Sequence, residues 1–436
     1  MLIGIRREDK NRWERRVSLT PDDLGRLIES GLAFRVQPSP IRIFPDEAYR
    51  RAGAELSEDL GACDLILGVK EIPPALLLPR KSYLFFSHVV KCQAYNMKMM
   101  KRLLELGCTL FDYELITDAQ GRRLVFFGRH AGLAGMIDTL HALGARLASE
   151  GIDNPFTTIR MAHEYDDLAA AGEAIAQAGN SIRTSGLPQA ITPLVVGFAG
   201  YGHVSQGAQE ILAHLPVKTV SPAELSRLAE STAVSHHHVY QVVFKEEDLV
   251  APKDASQAFV LQDYYDHPEK YRSIFADHLS HLSVLVNCIY WTERYPRLVT
   301  KEWVARHYGP GDQPRLRVIG DISCDIEGSI EITLKVTDPA DPCFVYDPVS
   351  GGIRNGVAGP GPVVMAVDNL PCELPRESSE HFSHALRELI GALRETDLAA
   401  PFETLALPEP LKRSAIAAHG QLRPEFGYIA DCIEKA

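Results

Sequence analysis

No stretch of about 18 consecutive apolar residues occurs in the sequence, so nothing in it reads as a bilayer-spanning helix. CxxC pairs are missing as well. The eight cysteines stand scattered at positions 63, 92, 108, 288, 324, 343, 372 and 432. A chain of 436 residues needs no disulfide framework, and we expect reduced, mostly buried thiols. Positive charge is in deficit: 45 Lys and Arg face 57 Asp and Glu, a formal net charge of −12. That balance excludes broad binding to nucleic acid or to anionic membranes, although a local basic pocket stays open. A repeat of about 20–50 residues is absent, which excludes solenoids and propellers. Neither a signal peptide nor a presequence is visible, because Met1–Ile5 is strand-like and runs into Arg6, Arg7, Glu8 and Asp9. A cytoplasmic location is the expectation.

What is present is ordinary for a folded protein, with 45% hydrophobic and 23% charged residues. The length suits two or three domains of about 100–150 residues. Short apolar runs at Leu2–Ile5, Ala33–Gln37, Leu65–Val69, Leu84–Phe86 and Thr109–Asp112 alternate with helical patterns at Pro21–Ser30 and Ala94–Leu106. Thr20 is placed to cap the first helix, and Gly31 and Gly107 to end the two. Ala131–Ser149, rich in small residues, predicts a long helix suited to crossing closely from one domain to another. A second alternation follows: Leu194–Phe198, Val204–Leu215, Val217–Val220, Pro222–Ala229, Tyr240–Phe244, Leu282–Val286 and Leu316–Ile319. Such alternation predicts an α/β fold of two doubly wound, Rossmann-like domains with a cleft between them. We expect a substrate domain from residues 1–135 plus 340–436 and a dinucleotide domain at 136–339. On this reading Val363–Val367 and Ser378–Leu393 return to the first domain.

In LVVGFAGYGHVSQGAQEIL (194–212), Gly200, Gly202 and Gly207 lie where an apolar strand turns into an amphipathic helix. Gly200 suits the tight turn and Gly202 a close approach to pyrophosphate, while Val204 and Ser205 open a helix whose dipole favours negative charge. Ser205 takes the third glycine position of GxGxxG; a tight structural turn is the alternative. An acid about 20 residues on, at the tip of the next strand, would read the ribose hydroxyls of NAD. That strand ends instead at Val220-Ser221-Pro222, with Glu224 where a helix begins. Without an anion at Ser221, NADPH is the expected cofactor and NADH the alternative.

Arg16 stands where the first loop feeds the first helix, and its fork can hold a carboxylate. Lys70 and His88 each end a strand, at the edge where open parallel sheets collect ligands. A desolvated lysine and a histidine both exchange protons near neutral pH. As alternatives, Lys70 pairs with Glu71 or Glu114, and His88 is a core residue. Asp321 and Asp325 follow the strand Leu316–Ile319; either can face the nicotinamide, or both can be turn residues. His236-His237-His238 is no metal site on this reading, since successive side chains point to alternating faces.

Several blocks in one order carry a resemblance. They are REDKNRWERRVSLTP (7–21), LILGVKEIP (65–73), FFSHVVK (85–91), FDYE (111–114), FGRHAGLAGMIDTLHALG (127–144), MAHEY (161–165), GYGHVSQGAQ (200–209), HHH (236–238), DISCDIEGSIE (321–331) and DNLPCELPRESSEHFS (368–383). Nearly the whole chain resembles the lysine-2-oxoglutarate reductase half of aminoadipic semialdehyde synthase, a relative of alanine dehydrogenase and transhydrogenase. The resemblance implies a reductase joining L-lysine to 2-oxoglutarate as saccharopine. It implies Lys70 and His88 in acid-base work, Arg16, Glu71, Glu114 and Asp325 at the substrate, and Gly200, Gly202, Val204, Ser205, Gly207, Ser221 and Asp321 at the cofactor. It further implies that a saccharopine dehydrogenase half is either a separate protein or absent; self-association is left open. An alanine dehydrogenase-type enzyme and a non-catalytic nucleotide-sensing module are the alternatives.

Overall fold

The computed structural model describes residues 1–230, 234–309, 311 and 314–436. They form two compact units, Met1–Phe127 with Pro375–Ala436, and Gly128–Leu374.

The first unit begins with β1 (Leu2–Ile5), α1 (Pro21–Glu29), β2 (Ala33–Val36), β3 (Glu55–Leu56), β4 (Leu65–Leu67), β5 (Ser82–Phe85), α2 (Ala94–Glu105) and β6 (Thr109–Asp112). Strands β4, β5 and β6 are buried along their whole length, as expected where helices cover both faces of a parallel sheet. α1 starts as the sequence predicts: the Thr20 side chain accepts the Asp23 N–H at 3.3 Å, and Pro21 occupies the first turn. α2 turns Met97, Met99, Met100 and Leu103 into the core.

The second unit opens with α3 (Gly128–Ser149), followed by α4 (Leu168–Ser185), β7 (Leu194–Ala199), α5 (His203–Leu212), β8 (Val217–Thr219), β9 (Val239–Phe244), β10 (Val284–Asn287), β11 (Val318–Asp321), β12 (Cys343–Tyr346), β13 (Ile353–Asn355) and β14 (Val363–Met365). The sheet order is β13-β12-β14-β11-β10-β7-β9-β8. Thus β9, not the strand that directly follows α5, lies beside β7, and β8 is at the edge. α3 packs within this unit, and its approach to α5 requires Gly207: a Cβ there would lie 2.1 Å from the Arg129 carbonyl oxygen. One expectation fails here. Val363–Met365 pairs in parallel with β11 and in antiparallel with β12, so residues 340–374 stay with the second sheet. Three buried apolar residues complete a sheet whichever domain they serve, and their pattern alone does not choose.

The same unit buries two carboxyl groups together. Asp138 on α3 accepts the Ala162 N–H at 2.9 Å, and Glu373 Oε2 lies 3.0 Å from His163 Nδ1. Burial pushes Asp138 well above the carboxylate range and Glu373 up to about 7, from an ordinary 4.5. A raised folded value means that folding binds a proton. The stabilisation is complete below the unfolded value of 4.5 and lost as pH climbs toward 7. We expect the urea midpoint to fall between about pH 5 and about pH 8, and to fall less in Glu373→Gln. Equal slopes in the two proteins would contradict this assignment.

The chain then returns to the first unit as α6 (Pro375–Gly391), β15 (Ala415–Ala418), β16 (Gln421–Leu422) and α7 (Ile429–Lys435). Its sheet runs β16-β15-β6-β5-β4-β1-β2-β3, parallel except where β15 meets β6 and β16. α6 is tied to α1: Ser383 Oγ donates to Asp23 at 2.7 Å and accepts the Thr20 N–H at 2.9 Å. A second expectation fails with α7, because Cys432 forms a disulfide with Cys92. The other six cysteines are free thiols, four of them buried. The pair is made by long-range packing, with Tyr428 beside it donating to the Val90 carbonyl at 2.9 Å.

Candidate active site

Because β1, β4, β5 and β6 run parallel, the residues that follow them gather at one edge of the first sheet. Glu8, after β1, is buried and accepts the N–H groups of Val69 and Lys70 at 2.7 and 3.0 Å. Those bonds satisfy backbone donors just beyond β4. Burial pushes the Glu8 carboxyl up to about 7, against the pull of Arg6. Lys70 is shifted downward, first by burial and then by the positive charge of Arg16, with Glu14 opposing.

Arg16 and Glu14 form a buried fork, Nε to Oε1 at 2.8 Å and Nη2 to Oε2 at 2.6 Å, and the guanidinium stacks 4.3 Å from the Phe127 ring centre. His88 carries φ +52°, a left-handed conformation that non-glycine residues seldom hold. Its Nδ1 lies 2.7 Å from Glu71 Oε1, and Lys10 Nζ lies 3.1 Å from Glu71 Oε2. Burial opposes ionisation of Glu71, yet the hydrogen bond and charge of His88, with Lys10, hold its carboxyl down to about 2. Asp112 anchors the adjacent Ser87 by its N–H, at 3.0 Å, and by its hydroxyl. Glu114 is ion-paired with Arg123. The structure therefore brings Arg16, Lys70, Glu71, His88 and Glu114 to one edge, with Glu71 engaged by His88. Sequence reasoning passes over Glu8, whose role exists only because β1 and β4 are neighbours.

In the second unit the turn after β7 has Gly200 at φ +94°. A Cβ on Gly202 would meet nothing within 4 Å, so the backbone at the head of α5 is open to a pyrophosphate. Val204 is half-buried and Ser205 fully buried, its hydroxyl accepting from Gln209 at 2.9 Å. Ser221 lies beyond β8, one strand further from the turn than sequence spacing implies, and donates its N–H and hydroxyl to Glu224, both at 2.7 Å. Asp321 is buried and accepts from Thr333, Asn287 and the Cys324 N–H at 2.6, 2.8 and 3.2 Å; burial raises its carboxyl to about 6. Asp325 is exposed on the same loop. A cavity of about 500 Å³ opens beside Gly200 and Gly202, lined by Tyr201, Glu246, Tyr264, Tyr265, Trp291 and Arg297 among others. Sequence reasoning also misses Glu246. It follows β9, and only the strand order puts it next to the glycine turn.

The three consecutive histidines go separate ways: Nδ1 of His236, His237 and His238 meets Leu187 O at 3.2 Å, Ile182 O at 3.1 Å and Ser235 Oγ at 3.0 Å. Among the described residues no helix is long and apolar enough to cross a membrane.

Residues 4–134 match the family described as alanine dehydrogenase/PNT, N-terminal domain. The chain is 40% identical over 98% of its length to alpha-aminoadipic semialdehyde synthase of Arabidopsis thaliana, and 36% identical over 98% to the mitochondrial protein of that name from Bos taurus. It spans 41% and 47% of those two proteins. It is 28% identical over 88% of its length to a Neurospora crassa saccharopine dehydrogenase [NAD(+), L-lysine-forming], of which it covers 89%. An L-alanine dehydrogenase structure superposes with a TM-score of 0.64 at 18% identity, covering 99% of this chain and 100% of that one. A transhydrogenase from Sinorhizobium meliloti gives 0.55 at 15%, covering 97% and 100%. Both show the same α/β fold of two Rossmann-like domains.

Proposed function

We propose that this chain, which is similar to alpha-aminoadipic semialdehyde synthase, joins the ε-amine of L-lysine to the keto carbon of 2-oxoglutarate and yields saccharopine. The observation that carries the reading is Lys70, a lysine kept short of its ordinary basicity by burial, in electrostatic reach of Arg16 and Glu71.

The reaction needs a substrate amine without its proton, a proton for the departing hydroxyl, and a proton balance when the carbon–nitrogen double bond is reduced. Lys70 takes the proton from the substrate ammonium. His88, fixed by Glu71, gives one to the carbinolamine oxygen as water leaves. Arg16, its plane set by Glu14 and Phe127, binds a carboxylate of the keto acid. Glu114 meets the ammonium end of lysine. A nicotinamide dinucleotide, when bound, supplies the hydride. The open backbone at Gly202 and the head of α5 would hold its pyrophosphate, with Gly200, Val204, Ser205 and Gly207 shaping that turn. Ser221 suggests NADPH, and the scheme holds for NADH alike.

The test is product formation. Purified protein with L-lysine, 2-oxoglutarate and NADH or NADPH is expected to oxidise the nicotinamide in step with saccharopine. Turnover that requires ammonia and pyruvate instead would assign an alanine dehydrogenase-type activity. Dinucleotide binding without turnover on either pair would assign a nucleotide sensor.

A further inference from the structure

His88 lies in a short segment, residues 86–93, between the end of β5 and the start of α2. Two residues of that segment, His88 at φ +52° and Cys92 at φ +54°, hold the left-handed backbone. A side chain with a Cβ keeps that conformation only where its surroundings impose it. At the near end Asp112 holds Ser87, and Glu71 engages the His88 ring. The far end is held from the other terminus of the chain. Cys92 is joined to Cys432 on α7. Its N–H donates to the Val89 carbonyl and the Tyr428 hydroxyl donates to the Val90 carbonyl, both at 2.9 Å.

α7 has little hold of its own. It is seven residues long, a length at which a helix is marginal without tertiary support. It buries Ile429 and packs against α2, the helix that the same segment feeds. Cys92 and Cys432 are both half-buried, so the link between them stands at the surface. The remaining thiols differ. Burial raises those of Cys63, Cys108, Cys288, Cys324 and Cys343, which keeps them protonated and slow to exchange, and Cys372 is buried.

We propose that the Cys92–Cys432 disulfide is an exchange site for a dithiol reductant, and that its reduction frees α7 and releases the His88 segment from its fixed geometry. A thiolate of the reductant attacks one sulfur and forms a mixed disulfide; its second thiol then displaces the reductant's first sulfur from that bond. The reductant departs as a disulfide, and its two electrons and two protons stay on the Cys92 and Cys432 thiols. Exchange with an oxidised partner of the same class runs the steps backward. The effect on turnover rests on the acid-base role proposed for His88, whereas the release of the segment does not.

Hydrogen exchange read by mass spectrometry tests the release without reference to turnover. Full-length protein equilibrated with oxidised glutathione and then treated with dithiothreitol is expected to gain alkylatable thiols at Cys92 and Cys432. Amide exchange in residues 87–93 and 429–436 is expected to rise about tenfold or more, while β7 and α5 keep their rates. The kcat for saccharopine formation is expected to fall about fivefold or more in parallel, as His88 loses its placement. Cys432→Ser should behave as the reduced protein with or without dithiothreitol. Free thiols at both positions before reduction, exchange unmoved by reduction, or a constant kcat while exchange rises would overturn the inference. Absence of turnover in both redox states would overturn the reductase reading, and the exchange rates would still decide this one.

Discussion

Lys70→Met is expected to lower kcat about a hundredfold, the scale of one acid-base group, with dinucleotide affinity unchanged. Methionine keeps the length and apolar stem of the side chain and removes the titratable amine, so packing at the end of β4 is preserved. The readout that isolates proton transfer is the pH profile. Activity of the wild type should climb with pH as Lys70 loses its proton, on a limb displaced toward neutrality because burial and Arg16 disfavour the charged form. Lys70→Met should lose that limb. His88→Gln should lower kcat more than about tenfold, again with the dinucleotide still bound. Wild-type turnover in either variant would remove that residue from the mechanism.

Arg16→Met carries the largest expected loss of stability, about 3–5 kcal/mol, because it removes the two-pronged guanidinium partner of the buried Glu14 carboxylate. Side-chain exposure in the pair is 1% for Arg16 and 0% for Glu14, so water does little to replace the lost partner. Urea denaturation measures the effect. The double variant with Glu14→Gln should recover most of the loss, since the buried charge that the fork balanced is then gone as well. It should not recover the Michaelis constant for 2-oxoglutarate, which depends on the guanidinium. A single variant as stable as wild type would show that Glu14 is compensated from elsewhere.

Local chemistry was legible in the sequence. Thr20 caps α1, Lys70 and His88 close buried strands, and Gly200 takes a left-handed turn. These depend on neighbours along the chain. The features that were not legible depend on neighbours in space. Glu8 gains its role from the adjacency of β1 and β4, Cys92 meets Cys432 across 340 residues, and Val363–Met365 joins the second sheet though its pattern fits either. Spacing is also silent on strand order beside the glycine turn, where β8, the next strand in sequence, lies at the sheet edge and β9 takes the place next to β7.

The split composition of the first unit bears on how the polypeptide is made. A ribosome releases all of residues 128–374 before it has added the helix and strand that finish the sheet begun by residues 1–127. During that interval β6 has no β15 alongside, and its unpaired peptide groups form a sticky border. The inserted unit can mature as translation proceeds, whereas its host waits for residues 375–436. Slowed synthesis of that segment would prolong the aggregation-prone stage, and faster synthesis would shorten it.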